Sequence, residues 1–535
     1  MSIDASAMSP VGHGRHLLMQ VQEGADCKVS FNCVSGLVCR EGVCSVCGND
    51  DECVVRNTKD QCQKSNDGHN TCKHKPLFHP FDHSDLAISI ITLITIILAA
   101  PAGVGGGGIL VPMYLAIGKF SPHYGIPLSK ATIFGGAVTN NMFNVSRRHP
   151  EANRPLIDYN ACMMLEPVLL LGTILGVFFN AVAPGWLITI LLVCTLTWTT
   201  WRTTIKAKQT YDKEVAAEAD AERQSLLPAG SKSTLRHSSF LEADSFPPEL
   251  REIMVNESKV NWTSIGVLCI SWIVIAVFSI LKGGEGGAGI VPCGTFFYWC
   301  LVLAPLPIVV GTVWHIGNVL SAQYELKLKY GFEFADGDLQ WTKRNTRVYP
   351  LYCISAGFCA GALGIAAGTI LGPVLLELGM LPLSGTVSSG FMVIFTASST
   401  TFQFLVMGQL QIDYAVFFCS VGLVGGAIGN TIVTYFVKKY NKTWFVVAIL
   451  SAVLAVSTVL MGYAGYERLQ SSEAHGKSLG LRPLCPMVLH PNLGGSSKPV
   501  TNRQVPENQK TENSKPEHSK TRNPGTRNPK TRKPE

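Results

Sequence analysis

The chain has 535 residues, of which 47% are hydrophobic and only 15% charged, against roughly 25% charged in a soluble globular protein. That composition excludes an ordinary soluble fold and points to a membrane body. The formal net charge is +7, but from Glu467 onward 13 Lys and Arg stand against 6 Glu, so the basic surplus belongs to the tail and gives no reason to expect nucleic acid as a partner.

Residues 1–26 read as an unstructured N-terminus. They hold no apolar run of the length a signal peptide needs, so either the first membrane segment serves as signal-anchor or the start lies further upstream. Residues 27–76 form a Cys-rich module: eight of the 17 cysteines, Cys27, Cys33, Cys39, Cys44, Cys47, Cys53, Cys62 and Cys72, fall in this polar stretch. An even count in a small loop-rich segment predicts disulfides in an oxidising compartment. The rival reading is zinc, for which only Cys44-x-x-Cys47 has suitable spacing.

Apolar segments long enough to span follow at about 86–118, 129–145, 159–183, 185–204, 262–281, 294–317, 349–380, 384–406, 413–437 and 444–463. The first is interrupted by Pro101-Ala-Gly-Val-Gly-Gly-Gly-Gly-Ile-Leu-Val-Pro112 and the seventh by Gly364-Ile-Ala-Ala-Gly-Thr-Ile-Leu-Gly-Pro373. An unbroken helix over 86–118 would be about 50 Å long at ~1.5 Å per residue, well beyond a hydrocarbon core of ~30 Å. Both segments are therefore expected to break at their glycines. Between the fourth and fifth segments, 205–260 reads as a charged cytoplasmic linker, solvated and partly disordered, with an amphipathic helix near 212–227 as the alternative. Residues 466–535 are basic, Pro-rich and of low complexity, so a disordered tail is expected.

Lys and Arg concentrate in cytoplasmic loops. Arg147, Arg148 and Arg154, then Lys206 and Lys208, then Lys327, Lys329, Lys343, Arg344 and Arg347, then Lys438, Lys439 and Lys442 mark four such loops, whereas the intervening loops hold only Lys119, Lys130 and Lys282. If both broken segments crossed once, the cysteine module would share the cytoplasmic side with the first three basic loops, where disulfides do not persist. If each enters and returns, the module lies outside and all four basic loops inside. The expected fold is thus an all-α polytopic membrane protein of about 8–10 spanning segments. It comprises two inverted repeats, 85–204 and 349–465, with re-entrant Gly-rich helices, joined by membrane helices in 261–320 and a cytoplasmic loop at 321–348. That is the architecture of secondary transporters.

Gly103, Gly105 and Gly108 match Gly-x-Gly-x-x-Gly, but no strand precedes them and no carboxylate lies near 127–131, so a dinucleotide site is excluded. A helix interrupted at glycine instead presents free N–H groups and a positive dipole end of roughly half a charge. Two such ends would hold a small anion without burying a full cation. Gly105, Gly106, Gly107 and Gly108, with Gly368 and Thr369 opening the second half-helix, are the expected ligands; close helix packing is the alternative role. Polar side chains crowd the segment after each break. Most of them serve interhelical hydrogen bonds, and Asn140, Asn141, Ser398 and Ser399 are singled out as further ligands. Glu166 and Glu377 lie inside apolar segments and are candidates for proton coupling, with a protonated or locally capped carboxyl as the alternative. No catalytic, metal or cofactor role is expected: no His-Glu-x-x-His, paired intramembrane Asp or Gly-x-Ser-x-Gly stands out.

The chain resembles the TauE/SafE family of sulfite exporters, in its eukaryotic branch with an N-terminal Cys-rich module. The likeness rests on Gly103–Pro112, on Lys130-Ala-Thr-Ile-Phe-Gly through Arg147-Arg-His-Pro150 and Pro155–Tyr159, on Cys293–Trp299, and on Phe391–Ser399 with Gly408–Tyr414. It implies a permease exporting sulfite, an organosulfonate or a related sulfur anion, partnered by the bilayer, the anion and a coupling proton. The membrane is the plasma membrane or an endomembrane, with the module extracytoplasmic. The alternative is a cell-surface receptor acting through that module. One departure stands out: family members usually resemble Gly-x-Gly-Gly-Gly in the second motif, where Ala366 and Ala367 stand here, and alanine penalises left-handed backbone.

Overall fold

The structure is a computed structural model that describes residues 37–466, apart from 226–246, most of 283–294 and 441–450, and several shorter stretches. The N-terminus expected at 1–26, with Cys27 and Cys33, and the tail expected at 466–535, except for Tyr466 itself, lie outside the described residues.

The cysteine module is built from two small hairpins. Strands β1 (Val38–Arg40) and β2 (Val43–Ser45) pair antiparallel; after α1 (Asp50–Val54), β3 (Asp60–Lys64) pairs with β4 (Asn70–His74). Glu41 and Gly42 both take positive φ, 52° and 83°, the two-residue turn whose twist suits a hairpin. Disulfides Cys47–Cys62 and Cys53–Cys72 tie α1 and its approach to β3 and β4. Cys39 and Cys44 are disulfide-bonded as well, so no thiolate pair remains at Cys44-x-x-Cys47 for zinc.

The membrane body is helical. Its first half contains α2 (His83–Ala99), α3 (Gly107–Ala116), α4 (Pro122–Asn144), α5 (Tyr159–Val182) and α6 (Gly185–Ser225). Next come α7 (Pro248–Ser258), α8 (Trp262–Lys282), α9 (Phe296–Leu303) and α10 (Pro305–Lys329). The second half contains α11 (Asn345–Leu363), α12 (Ala367–Glu377), α13 (Pro382–Val406), α14 (Ile412–Tyr440) and α15 (Leu454–Tyr463). Among the described residues five helices are long and apolar enough to cross a membrane: Tyr159–Val182, Trp262–Lys282, Phe296–Lys329, Leu383–Val406 and Ile412–Ile432. The first expected span is two pieces of 17 and 10 residues, about 25 and 15 Å, neither enough to cross alone. The linker departs from expectation, because α6 continues without a break to Ser225 and α7 occupies 248–258. A helix bonds its own backbone whatever its side chains carry, so polarity at 205–225 does not require a coil.

Helices of the first half pack on helices of the second: α5 on α11, α4 on α13 and α14, and α2 on α14. Glycine permits the approach. A methyl group on Gly172, Gly176, Gly357 or Gly361 would lie 2.1–2.4 Å from a carbonyl oxygen of the facing helix. Gly135 and Gly422 do the same between α4 and α14. Without a hydrophobic drive between helices in lipid, such small-residue contacts supply the association.

Polar contacts gather at the two ends of this body. At one end the His74 ring packs tilted against Phe120 at 4.1 Å and meets Tyr414 edge-on. The Leu77 amide donates to Asp413 at 2.9 Å, and Lys75, 4% exposed, donates to Asp82 and Asp85 at 2.7 and 2.6 Å. Across the length of α4, the other end joins Arg148 to the Ser258 carbonyl, Arg154 to Asp338, Lys327 to Glu257, and the Ser384 hydroxyl to the Leu156 carbonyl.

Candidate functional site

The two interruptions are made differently. In the first, Gly103, Gly105 and Gly106 hold φ of +67°, +65° and +71°, and α3 starts at Gly107. In the second only Gly364 is left-handed, at +73°, and α12 starts at Ala367. A left-handed turn is cheap only for glycine. Ala366 and Ala367 stand where none is needed, so the departure from the family's glycine run carries no backbone penalty. Gly368 and Thr369, expected to open the second half-helix, sit one and two residues inside it.

These breaks, 261 residues apart from Gly103 to Gly364, are pressed together. A methyl group on Gly107 would lie 2.7 Å from both the Ala366 nitrogen and the Gly364 oxygen. On Gly368 it would lie 2.3 Å from the Gly103 oxygen, and on Gly105 2.7 Å from the Ala366 Cβ. The N-termini of α3 and α12 therefore meet, each contributing partial positive charge. Gly106 packs on Thr95 and Ala99 of α2, and Gly108 faces Leu196 and Leu454.

Around the second break, side chains from the first half bond carbonyls at the end of α11 and in the break that follows it. The Asn180 amide donates to Ala362 at 2.8 Å, the Ser129 hydroxyl to Gly364 at 3.1 Å, and the Lys130 ammonium to Ile365 at 2.8 Å. Lys130 is 1% exposed, and among the described residues no carboxylate pairs with it. The charge pattern counts this lysine with the loops, at the very start of the apolar segment expected from 129; α4 begins at Pro122, which places Lys130 more than two turns inside. A signal for it exists in the sequence all the same, since a lone cation in an apolar helix is a functional candidate by default. Lys282, also expected in a loop, is the last residue of α8, buried with its ammonium 4.0 Å from the centre of the Phe178 ring.

The remaining expected ligands divide. Gly390 of α13 brings Asn140 and Asn141 to the first break. A methyl there would lie 2.7 Å from the Asn140 amide nitrogen and 3.6 Å from Gly103 Cα, and the Asn141 amide donates to the Gly390 carbonyl at 3.2 Å. Ser398 turns to α8 instead, accepting from the Trp272 indole at 3.0 Å, and Ser399 accepts from Gln403. Both lie about 12 Å further along α13 than Gly390.

The carboxyls divide as well. Glu166 is wholly buried in α5, and neither carboxylate oxygen has a hydrogen-bond partner among the described residues. Glu377 is the exposed final residue of α12 and pairs with Arg202 of α6. The apolar run on both sides of it conceals that the half-helix ends there.

Residues 88–321 match the family model described as Sulfite exporter TauE/SafE. Among curated proteins of Arabidopsis thaliana, the chain is 27% identical to Sulfite exporter TauE/SafE family protein 3, over 72% of this chain and 79% of that protein. It is also 27% identical to family protein 5, over 74% and 86%, and 25% identical to family protein 2, over 75% and 88%. No solved structure matches the chain. With its apolar helices and these matches, the chain is a multi-pass membrane protein similar to the TauE/SafE family of sulfite exporters.

Proposed function

We propose that the chain is a secondary transporter exporting a small sulfur-containing oxyanion, such as sulfite or an organosulfonate, held where the two breaks meet near mid-membrane. The observation that carries this reading is the contact between Gly107 and Ala366. It brings two half-helix N-termini to one point, where an anion gains from both dipoles. Sulfur enters through the relatives, whose names carry sulfite export.

The inverted-repeat reading, with 85–204 and 349–465 as the repeats, draws support from how each broken segment ends. His74, ahead of α2, touches Phe120, which follows α3. Gly337, ahead of α11, abuts Leu381, which follows α12. Both contacts support a course in which each segment leaves from and returns to one end of the body, the first at the cysteine module and the second at the basic loops. With the module extracytoplasmic and the basic loops cytoplasmic, disulfides and charge agree. Glu166, buried and unpartnered among the described residues, is the proton-coupling group in this scheme.

The test is uptake and efflux of labelled sulfite, sulfate, thiosulfate and taurine in proteoliposomes, with and without a pH gradient. Movement of none of them by folded protein sinks the proposal. Labelling of a cysteine introduced beside Arg147 from outside intact cells would overturn the topology alone.

A further inference from the structure

We infer that Lys130 is the counter-charge of the transported anion and limits the site to species carrying a single negative charge; the inference rests on the transport reading above. Three positive features converge. The Lys130 ammonium lies 2.8 Å from the Ile365 carbonyl, α12 begins two residues on at Ala367, and Gly107 at the start of α3 is pressed against the intervening Ala366 nitrogen. An ammonium has three N–H donors, and among the described residues only the Ile365 carbonyl accepts from it. That carbonyl lies in the break between α11 and α12 and is neutral, so it orients the ammonium without neutralising a full charge.

The charge balance then selects the ligand. A buried cation with no carboxylate partner is costly, and one anionic oxygen removes that cost. A second negative charge would face only the partial charges of two helix ends, since α13, the facing helix from the second half, has no ionisable side chain. Hydrogensulfite and sulfonates satisfy the balance; sulfate and doubly ionised sulfite do not.

The experiment uses the full chain in proteoliposomes with labelled methanesulfonate as the single-charge probe and sulfate as the double-charge competitor. Wild type is expected to carry methanesulfonate with little inhibition by excess sulfate. Lys130→Gln, which can still donate to Ile365, is expected to raise KM for methanesulfonate about 30-fold or more, the scale of removing one partner of a buried charge pair, while Lys130→Arg keeps most of the affinity. Equal handling of sulfate and methanesulfonate by wild type overturns the inference while the transport reading stands, as does an unchanged KM in Lys130→Gln. If Lys130→Gln does not fold, the wild-type selectivity decides. If wild type moves no anion, the transport reading fails and takes this inference with it.

Discussion

Gly107→Ala is the sharpest test of the closed contact between the two breaks. Gly107 is the first residue of α3, and its φ lies outside the left-handed region, so alanine meets no backbone strain there and gains slightly in helix propensity. Its new methyl would stand 2.7 Å from the Ala366 nitrogen, 2.7 Å from the Gly364 oxygen and 2.9 Å from the Ile133 Cδ1. Carbon contacts prefer about 3.5–4.0 Å. The first two atoms are backbone and cannot rotate away, so the breaks must separate by about 1 Å, which overpacking data put at about 1–3 kcal/mol. Gly106→Ala is the control. There the nearest atoms are side chains of Ala99, Thr95 and Ile96 at 3.3–3.4 Å, so the methyl nearly fits, but the φ of +71° costs about 1–2 kcal/mol. The two variants should lose similar thermal stability in detergent, yet only Gly107→Ala should lose anion flux in proteoliposomes, since it alone wedges the breaks apart. Wild-type melting and flux in Gly107→Ala would refute the contact.

Other outcomes follow from individual contacts. Glu166→Leu removes a buried carboxyl without hydrogen-bond partners among the described residues, so melting temperature should hold or rise, while stimulation of flux by a pH gradient disappears. Gly357→Leu would drive a side chain into the Leu169 carbonyl oxygen, which even a methyl group at that position would approach to 2.1 Å, and should abolish a monodisperse peak in size-exclusion chromatography. Asp85→Asn breaks the buried pair with Lys75 and should weaken docking of the module by about 3–5 kcal/mol, read as faster hydrogen exchange over 70–82.

The same docking has a defined pH window. Burial pulls the Lys75 ammonium down, but its hydrogen bonds to Asp82 and Asp85 more than offset this, so its pKa is raised above the ordinary 10.5. Asp82, accepting from Lys75, is held below the ordinary 3.8. The raised lysine contributes stability fully present below pH 10.5 and lost as pH rises through its shifted value. The lowered carboxylate contributes stability present above pH 3.8 and lost as pH falls through its own. Exchange protection of the module should therefore be flat between those limits and fall outside them; a loss near neutral pH would refute the assignment.

The features legible in the sequence are those one residue type enforces locally. Glycine's backbone freedom announces both breaks, because no other residue holds three left-handed turns inside an apolar run as Gly103, Gly105 and Gly106 do. Eight clustered cysteines announce a disulfide module, and basic residues grouped in the loops announce one end of the bundle, where Arg148, Arg154 and Lys327 indeed make their contacts. The tertiary structure alone decides what these features meet. Gly107 touches Ala366 only because α4 packs on α13 and α14, and no local pattern encodes a contact across so long a stretch of chain. Burial likewise depends on neighbours. Lys130 and Glu377 look alike as single charges in apolar runs, but the lysine is buried against the second break, whereas the glutamate ends a half-helix and pairs with Arg202 at the surface. Ser398 reads from the sequence as facing the anion site, but a helix residue faces whatever packs on it, and that neighbour is Trp272 of α8.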